Sequence, residues 1–238
     1  AMCYTMHLGA VAAALFRCHQ NPELQSLLKR LDTEVLIGTL SYSDPETGSH
    51  FWYPVSSKAK STANGWQVFK RASWTTSAGF ADWYIVQTTS PDFAGDYSDL
   101  SCFLIYGEEV QAEPHKWDAL GLRGNQSGTL LVDGVIIPAQ RMVGPMGDGV
   151  SSNDEIVDPF FLLCSSACWN GIAMGAIDIA KKHVTRKKHV DVGMRVADYP
   201  TIQDYFGEAI IDTSACRMYT FSMGQLMDQL TDGCDWSL

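Results

Sequence analysis

A turn rich in hydroxyl groups follows the first β-prone run of the sequence. Residues Gly38–His50 read GTLSYSDPETGSH, which supplies serine and threonine hydroxyls and the backbone N–H groups of a tight turn. Groups of this kind can bind the polar edge of a flat ring or a phosphate. The same composition is typical of an ordinary surface turn, so the segment alone does not decide between the two.

A second segment combines a large aromatic ring with hydroxyl groups. It is Trp74-Thr75-Thr76-Ser77, and a further β-prone run follows at Trp83. A tryptophan can stack on a flat ligand while neighbouring hydroxyls bind the ligand's edge. The alternative is a tryptophan that packs into the core at the end of a strand.

Two further segments carry polar or charged groups. Trp117–Ser127 reads WDALGLRGNQS, in which Arg123 can pair with a carboxylate inside a structural loop. A basic cluster stands out in an acidic chain and comprises Lys181, Lys182, His183, Arg186, Lys187, Lys188 and His189. Cations are favoured at the end of a helix, and arginine is also the best geometric match to phosphate. A solvated helix end and a phosphate site are therefore both open.

Several familiar catalytic patterns are missing from the sequence. It contains no nucleophile elbow, Walker loop, dinucleotide-binding glycine fingerprint or metal-spaced His/Cys cluster. His50 is the one histidine near a candidate segment, and a lone histidine is more often structural than catalytic. No metal site is expected.

The elements that must position these segments follow from the pattern along the chain. Residues 1–33 are helical in pattern, and Asn21-Pro22 ends one helix and begins another with Pro22 in the first turn. From about residue 35 to 150, short β-prone runs alternate with turn residues, which predicts an antiparallel sandwich or barrel. The runs are Val35–Leu40, Phe51–Val55, Trp66–Phe69, Trp83–Thr88, Cys102–Ile105, Thr129–Val132 and Val135–Ile137.

Three local signals refine this outline. Asp133-Gly134 lies between two β-branched runs and predicts a hairpin. After Gly149 the pattern is helical again, and Asp158 is expected to cap a helix that has Pro159 in its first turn. A second helix is predicted from Thr201 to about Asp228, with Pro200 at its start and a buried stripe comprising Ile202, Phe206, Ala209, Ile210, Thr213, Met218 and Phe221.

The predicted fold class is therefore α+β and multidomain. We expect the end of a helical domain at residues 1–34, an antiparallel β-sandwich or barrel at residues 35–150, and a truncated all-α helical bundle at residues 151–238. The chain begins at Ala1 within an apolar stretch, which suggests a fragment.

Composition excludes several classes of protein. Of 238 residues 46% are hydrophobic and 18% charged, which is typical of a globular protein. The net charge of −10 disfavours nucleic-acid binding, and no apolar run reaches the ~18 residues of a membrane span. Seven cysteines, an odd number with no C-x-x-C, predict free thiols such as Cys164 and Cys168 in a reducing compartment, the cytoplasm or an organelle matrix.

Taken in order, these segments resemble the acyl-CoA dehydrogenase family over nearly the whole chain. Ser43-Asp44-Pro45 with Gly48-Ser49 resembles the family's T-E-P-G-x-G-S-D loop, and Trp74–Ser77 resembles its W-I-T-N strand. Trp117–Ser127 is similar to its W-x-x-x-G-x-R-G-x-x-S segment. Further matches are Val135–Pro138, Gly147-Asp148-Gly149, Gly171–Ala180 and Thr185-Arg186-Lys187.

The resemblance implies an FAD-dependent oxidoreductase of fatty acid metabolism, acting on the CH–CH bond of an acyl-CoA thioester. Such an enzyme removes the α-proton while the β-hydride passes to flavin N5. It implies cofactor contacts from the Leu40–Ser43 backbone, Trp74 with Thr75 and Thr76, and Arg186 with Lys188, the last two on a neighbouring subunit's pyrophosphate. Tyr42 and the Ser43 hydroxyl would face the flavin, and Ser49 would approach the pyrophosphate or the substrate's CoA chain.

The same resemblance suggests partners and places the catalytic base. A homodimer or homotetramer is implied, with an electron-transfer flavoprotein as electron acceptor. In most members the base is a glutamate late in the last domain, which here would fall beyond Leu238. Some members carry it near the position of Phe161, where no glutamate stands, and Glu155 is the nearest. The fragment is therefore expected to be inactive alone.

Two other functions remain open from the sequence. The chain could belong to a flavin-dependent monooxygenase of the same superfamily, which needs no α-proton base. It could also be a non-catalytic scaffold that keeps the fold without the chemistry. His50 stands in place of the family's aspartate in the flavin loop. The change in bulk and charge could reshape the opening through which the substrate enters.

Overall fold

Two units make up the chain in this computed structural model. The first is Ala1–Phe161, and the second begins at Leu162. The structure describes residues 1–48, 56–96, 99–113 and 116–234, and each structural statement below refers to those residues.

Two helices open the first unit. Helix α1 is Met2–Arg17 and helix α2 is Pro22–Leu31. The Asn21 side chain accepts hydrogen bonds from the N–H groups of Glu23 and Leu24, and Pro22 occupies the first turn, as its missing N–H allows. The predicted break at Asn21-Pro22 is confirmed.

Eight strands of the described residues form one mostly antiparallel sheet, in the order β6-β7-β3-β2-β4-β5-β8, with β1 paired in parallel to β4. The strands are β1 Gly38–Ser41, β2 Lys58–Thr62, β3 Gly65–Thr75, β4 Trp83–Thr89, β5 Leu100–Tyr106, β6 Gln111–Glu113, β7 Gly128–Pro138 and β8 Met142–Val143. The predicted mixture of a helical segment, a mainly antiparallel β-domain and a helical C-terminal part is confirmed. The predicted run Phe51–Val55 lies outside the described residues.

Strand β4 separates two hydrophobic cores. Trp83 and Ile85 pack with helices α1 and α2 on one face of the sheet. Tyr84 and Val86 face the second core, which lies among β2, β3, β5 and β7. Side chains alternate across a strand, so a strand buried on both faces is apolar at nearly every position. This explains why Trp83–Thr88 is so clear in the sequence.

The predicted hairpin at Asp133-Gly134 is wrong. Both flanking runs belong to one strand, β7, which pairs with β3 along its whole length. Val135 pairs with Val68 and Asp133 pairs with Phe69, so Gly134 is the extra residue of a β-bulge. Its φ of +66° supplies the left-handed backbone that both a hairpin turn and a bulge can use.

The α-helix α4 begins at Asp158 as predicted, but the predicted capping role of Asp158 is wrong, because the chain is already helical before it. Helical structure begins at Gly149 with α3, Gly149–Ser152, passes through a π-helical turn at Asn153–Val157, and continues as α4, Asp158–Arg186. Pro159 thus lies inside a continuous helix. A proline inside a helix removes one backbone hydrogen bond and clashes with the carbonyl of the preceding turn. The π-turn at Asn153–Val157 is that preceding turn.

The second unit contains most of α4, a small hairpin of β9 (Lys188–His189) and β10 (Met194–Arg195), and helix α5, Pro200–Thr231. The predicted second helix is confirmed, but its buried stripe is wrong, because α5 contains no buried residue among those described. Ile210, Met218 and Phe221 are 50–67% exposed. Two helices cover little of each other's surface, so apolar faces stay open.

One helical segment of the described chain, Gly149–Arg186, has the length and composition to cross a membrane. Core helices of soluble proteins meet the same criterion. All seven cysteines are free thiols in the structure.

Candidate cofactor site

Two of the predicted segments meet where strands β1 and β3 end. The Ser41 and Thr75 hydroxyls are 3.0 Å apart and buried. The Ser43 hydroxyl accepts a hydrogen bond from the Trp74 N–H and donates one to the Trp74 carbonyl, each at 3.0 Å. The hydroxyl-rich turn is therefore held against the aromatic segment by its own side chains.

The loop containing Trp117 joins the same place. The Thr76 and Ser127 hydroxyls are 3.1 Å apart and buried, and the Ser77 N–H donates to the Asn125 carbonyl at 2.8 Å. The rings of Trp74 and Trp117 pack edge to face, 5.8 Å between centroids. Arg123 donates to the Ala119 carbonyl within the loop. Three of the four candidate segments thus lie together.

A cavity of about 140 Å³ opens beside this junction. Leu40, Tyr42, Ser43 and Trp74 form one part of its lining, and helix α4 contributes Asp158 and Phe161. Trp74 is 54% exposed, unusual for so large a ring. Strand β1 pairs only with β4 among the described residues, so its other edge carries no ladder partner.

Two buried charged side chains support the β1 turn. The Lys70 Nζ donates to the Tyr42 carbonyl at 2.9 Å, and burial lowers the pKa of Lys70 to about 7, with the nearby Asp44 opposing the shift. Asp44 accepts hydrogen bonds from the Glu46 and Ser56 N–H groups and from the Ser56 and Ser57 hydroxyls. Both side chains hold backbone rather than face the cavity.

The ionisable groups near the cavity differ sharply in their chemistry. Burial raises the pKa of Cys102 to about 12 and the pKa of Tyr42 well above its ordinary value. Neither group ionises near neutral pH, so neither serves as a nucleophile or a base. Burial, with a smaller contribution from Asp154, also raises the pKa of Asp158.

Two of the remaining predicted site residues belong to the second unit. Arg186 ends α4, and Lys188 is in β9; both are exposed in the second unit, and neither has an ion-pair partner among the described residues. Ser49 and His50 lie outside the described residues. A larger cavity, about 510 Å³, is lined by residues that include Arg30 of α2 and Asp82, and it shares no lining residue with the cavity beside Trp74.

The motifs of the sequence do not indicate Lys70, although its position in a strand carries a signal. Val68, Lys70 and Ala72 alternate along one strand, so Lys70 must share a face with two apolar residues. In the structure all three are buried. The sequence predicts a capping role for Asp158 because Pro159 follows it, and proline is over-represented in the first turn of a helix.

Curated proteins similar in sequence to this chain include several acyl-CoA dehydrogenases. No protein-family model matches the chain. It is 23% identical over 209 residues to a glutaryl-CoA dehydrogenase of Desulfococcus multivorans, covering 87% of this chain and 52% of that protein. It is 22% identical over 228 residues to a mitochondrial isovaleryl-CoA dehydrogenase of Solanum tuberosum, covering 96% and 54%. The chain thus spans about half the length of these curated relatives.

Solved structures give the same result for the fold. A glutaryl-CoA dehydrogenase in complex with glutaryl-CoA superposes with a TM-score of 0.83 at 20% identity, over 96% of this chain and 58% of that one. The butyryl-CoA dehydrogenase of Megasphaera elsdenii superposes with a TM-score of 0.81 at 17% identity, over 92% and 57%.

This chain has the acyl-CoA dehydrogenase fold. Its sequence is also similar to acyl-CoA dehydrogenases over most of its length, as the ordered motifs indicate. Within this fold PigA, solved with FAD and proline, superposes with a TM-score of 0.78 at 18% identity, over 99% of this chain and 60% of that one.

Proposed function

We propose that this chain forms the cofactor-binding centre of an FAD-dependent acyl-CoA dehydrogenase. One observation carries the proposal: in the acyl-CoA dehydrogenase fold, the β1 turn, the Trp74 segment and the Trp117 loop meet at one cavity through hydroxyl–hydroxyl and hydroxyl–backbone contacts. Three segments that are each ambiguous in sequence become one site.

The residues at the cavity fit a flavin ring. A flat, amphipathic ring needs an aromatic or apolar surface for its face and hydrogen-bonding groups at its edge. The exposed Trp74 ring offers the first, and the edge of β1 that has no ladder partner among the described residues offers the second. The Ser43 hydroxyl keeps only acceptor capacity, because its hydrogen is donated to the Trp74 carbonyl. The hydroxyls of Thr75 and Thr76 are instead used to fasten the segment to Ser41 and Ser127.

The proposed reaction removes two hydrogens from neighbouring carbons of an acyl thioester. FAD, when bound, accepts the hydride and its two electrons from the β-carbon. The protein must hold the ring edge with Leu40–Ser43, cover one ring face with Trp74 and keep water from the reacting carbons. A carboxylate must take the α-proton.

Finer assignments extend this proposal. Arg186 and Lys188 bind the pyrophosphate of a neighbouring subunit's FAD, which requires a homodimer or a homotetramer; charge-assisted bonds to phosphate are about twice as strong as neutral ones. Ser49 approaches the pyrophosphate or the CoA chain. An electron-transfer flavoprotein reoxidises the flavin, in a reducing compartment. The 238-residue chain alone is expected to be inactive, because it spans about half the length of its curated relatives and much of the cofactor enclosure would be missing.

The direct test uses the purified full-length protein. We expect the visible absorbance of oxidised flavin, and we expect that absorbance to bleach without oxygen when one member of a panel of acyl-CoA thioesters is added. Release of the matching 2,3-enoyl-CoA confirms the reaction. A colourless protein that does not take up FAD contradicts the proposal and favours the non-catalytic scaffold.

A matched pair of tryptophan variants tests the site. Trp74→Ala removes the exposed ring beside the cavity, and Trp169→Ala removes a ring of similar exposure, 47%, from α4 in the second unit. We expect Trp74→Ala to weaken FAD binding at least about tenfold, since a stacked aromatic contact contributes roughly 1–3 kcal/mol. Equal FAD affinity in the two variants would place the flavin elsewhere.

The second candidate function is a flavin-dependent monooxygenase. The apolar Phe161 favours it, because it lines the cavity where some dehydrogenases carry the catalytic glutamate. This chemistry combines reduced flavin with oxygen. Oxygen uptake that depends on reduced flavin, with no bleaching by any acyl-CoA, would support this function over the first.

A further inference from the structure

Asp158 lies in the middle of a helix and has no capping role there. The helix runs from Gly149 through the π-turn into α4, so the N–H groups near Asp158 already belong to a continuous helix. An aspartate is usually favoured at a helix start because it caps free N–H groups. That explanation does not apply at this position.

The Asp158 side chain lines the cofactor cavity instead. It shares the cavity with Leu40, Tyr42, Ser43 and Trp74, all of which belong to the proposed flavin-binding segments. Among the described residues no hydrogen bond or ion pair engages its carboxylate, and the side chain is half-buried. A carboxylate without a partner in an apolar recess is costly to keep unless it has a function.

The charged surroundings of Asp158 are simple. On its own helix Asp154 is the one group that acts on its ionisation. Across the cavity the buried Tyr42 hydroxyl is within electrostatic reach, while α1 and β3 contribute the uncharged Met6 and Trp74 to the lining. No cation of the described residues neutralises Asp158 by direct contact.

We propose that Asp158 is the catalytic base that removes the α-proton of the acyl thioester, an assignment that rests on the proposed dehydrogenase function. The α C–H bond breaks, its proton moves to the Asp158 carboxylate, and its electron pair forms the new double bond. The hydride of the β-carbon leaves with its own electron pair to oxidised FAD. Asp158 lies one turn before Phe161 on the same helix face. Some dehydrogenases carry the base near the position of Phe161, so this chain would supply it from the same helix but from a different residue.

The environment suits this task. Burial and the neighbouring Asp154 both raise the pKa of Asp158, which makes its carboxylate a stronger base than an exposed one. A general base works best when its pKa approaches the working pH. The apolar walls also keep water from competing for the proton.

Proton removal can be measured apart from oxidation. An acyl-CoA analogue with sulfur in place of the β-carbon can lose an α-proton but has no β-hydride to give. In deuterium oxide the FAD-loaded full-length enzyme should exchange its α-hydrogens, and mass spectrometry counts the deuterium. We expect Asp158→Asn to slow exchange about 100- to 10,000-fold, the range for loss of a general base, while visible absorbance shows retained FAD.

Glu155→Gln is the matched control. Glu155 is exposed on the π-turn and is absent from the cavity lining, so exchange should stay at the wild-type rate. Exchange at the wild-type rate in Asp158→Asn overturns the assignment. If the wild-type protein itself binds no FAD and exchanges nothing, the proposed function fails instead.

A pH profile separates catalysis from a structural role. The base must be ionised, so the exchange rate rises with pH through the pKa of Asp158. Asp154→Asn removes a negative charge that raises this pKa, and the rising limb should move to lower pH. Asp158→Glu, which keeps a carboxylate, should restore part of the exchange. If Asp158→Asn loses its FAD, the exchange measurement on Asp154→Asn decides instead. A rising limb of the exchange rate at the same pH as in wild type would then reject the proposal.

Discussion

At the scale of single residues, Lys70 is the least expected side chain in the first unit. Its amine is 1% exposed and donates to the Tyr42 carbonyl, directly behind the turn that carries the proposed flavin contacts. A buried lysine is rare because losing water disfavours its charge. Lys70 therefore holds the β1 turn in place at a cost in stability that depends on pH.

This cost predicts how stability changes with pH. The pKa of Lys70 is about 7 in the folded protein and 10.5 for an ordinary lysine, so over that interval the unfolded chain binds a proton that the folded chain releases. The contribution of Lys70 to the free energy of unfolding then rises with pH over that interval, by at most about 1.4 kcal/mol per unit, and is flat below it. Lys70→Met should lack this rise in urea unfolding measured from about pH 6 to about pH 10.

The exposed Lys60 on β2 supplies the comparison. Lys60→Met leaves Lys70 in place, so this variant should keep the rise in the free energy of unfolding across the same range. Parallel curves for wild type and Lys70→Met would show that Lys70 stays protonated when buried.

At the scale of elements, the β-bulge in β7 determines which side chains enter the second core. Gly134 adds one residue to β7 opposite β3. Val132 therefore pairs with Lys70 and Val135 with Val68, although the two valines are three positions apart and their partners only two. A one-residue slip would otherwise move every following side chain to the opposite face. The bulge is thus part of how Leu130, Val132 and Ile137 all reach the core.

A methyl group at the bulge should be costly. A Cβ at Gly134 would lie 3.0 Å from the Phe69 ring and 3.1 Å from the Gln67 amide, at a φ of +66°. We expect Gly134→Ala to lower the free energy of unfolding by about 1–2 kcal/mol. Gly121→Ala, which meets no atom within 4 Å, should change it little, and urea denaturation compares the two. Equal stability of both variants would contradict the bulge.

At the scale of the whole molecule, an ionic network fastens the N-terminal helices to the β-domain of the first unit. Arg141 Nη1 donates to both Glu109 carboxylate oxygens at 2.7 Å, and its guanidinium lies 4.5 Å from the Tyr106 ring centre. Tyr106 in turn donates to Glu23 of helix α2 at 3.1 Å. These groups are partly buried, so their interaction is only partly screened by water.

Breaking this network should loosen the first unit. Arg141→Met leaves Glu23 and Glu109 without their cation, and we expect a loss of about 1–3 kcal/mol in the free energy of unfolding. Arg30→Met removes the exposed Arg30–Glu34 pair instead and should have little effect. Calorimetry on both variants measures the difference, and a harmless Arg141→Met would mean that apolar packing alone attaches the helices.

Several features of this protein follow from the sequence because they depend on neighbouring residues. The order helix, strand, helix is visible in local periodicity, and Asn21-Pro22 identifies a helix start by capping chemistry alone. The ordered motifs identify the fold, because each keeps its residue types at a fixed spacing. The three segments of the proposed site are likewise visible in the sequence by their residue types, and the roles of their residues stay predictions.

Tertiary structure alone decided how those segments act together. Ser43 contacts Trp74 across 31 positions, and Thr76 contacts Ser127 across 51, distances over which local pattern carries no information. Asp133-Gly134 suits a hairpin or a bulge equally, and only the pairing of β7 along β3 chooses between them. The local sequence predicts a capping role for Asp158. In the structure a π-turn continues the helix on the N-terminal side of Asp158, and its side chain lines the cavity instead. Each outcome depends on contacts between distant residues, which the folded chain alone brings together.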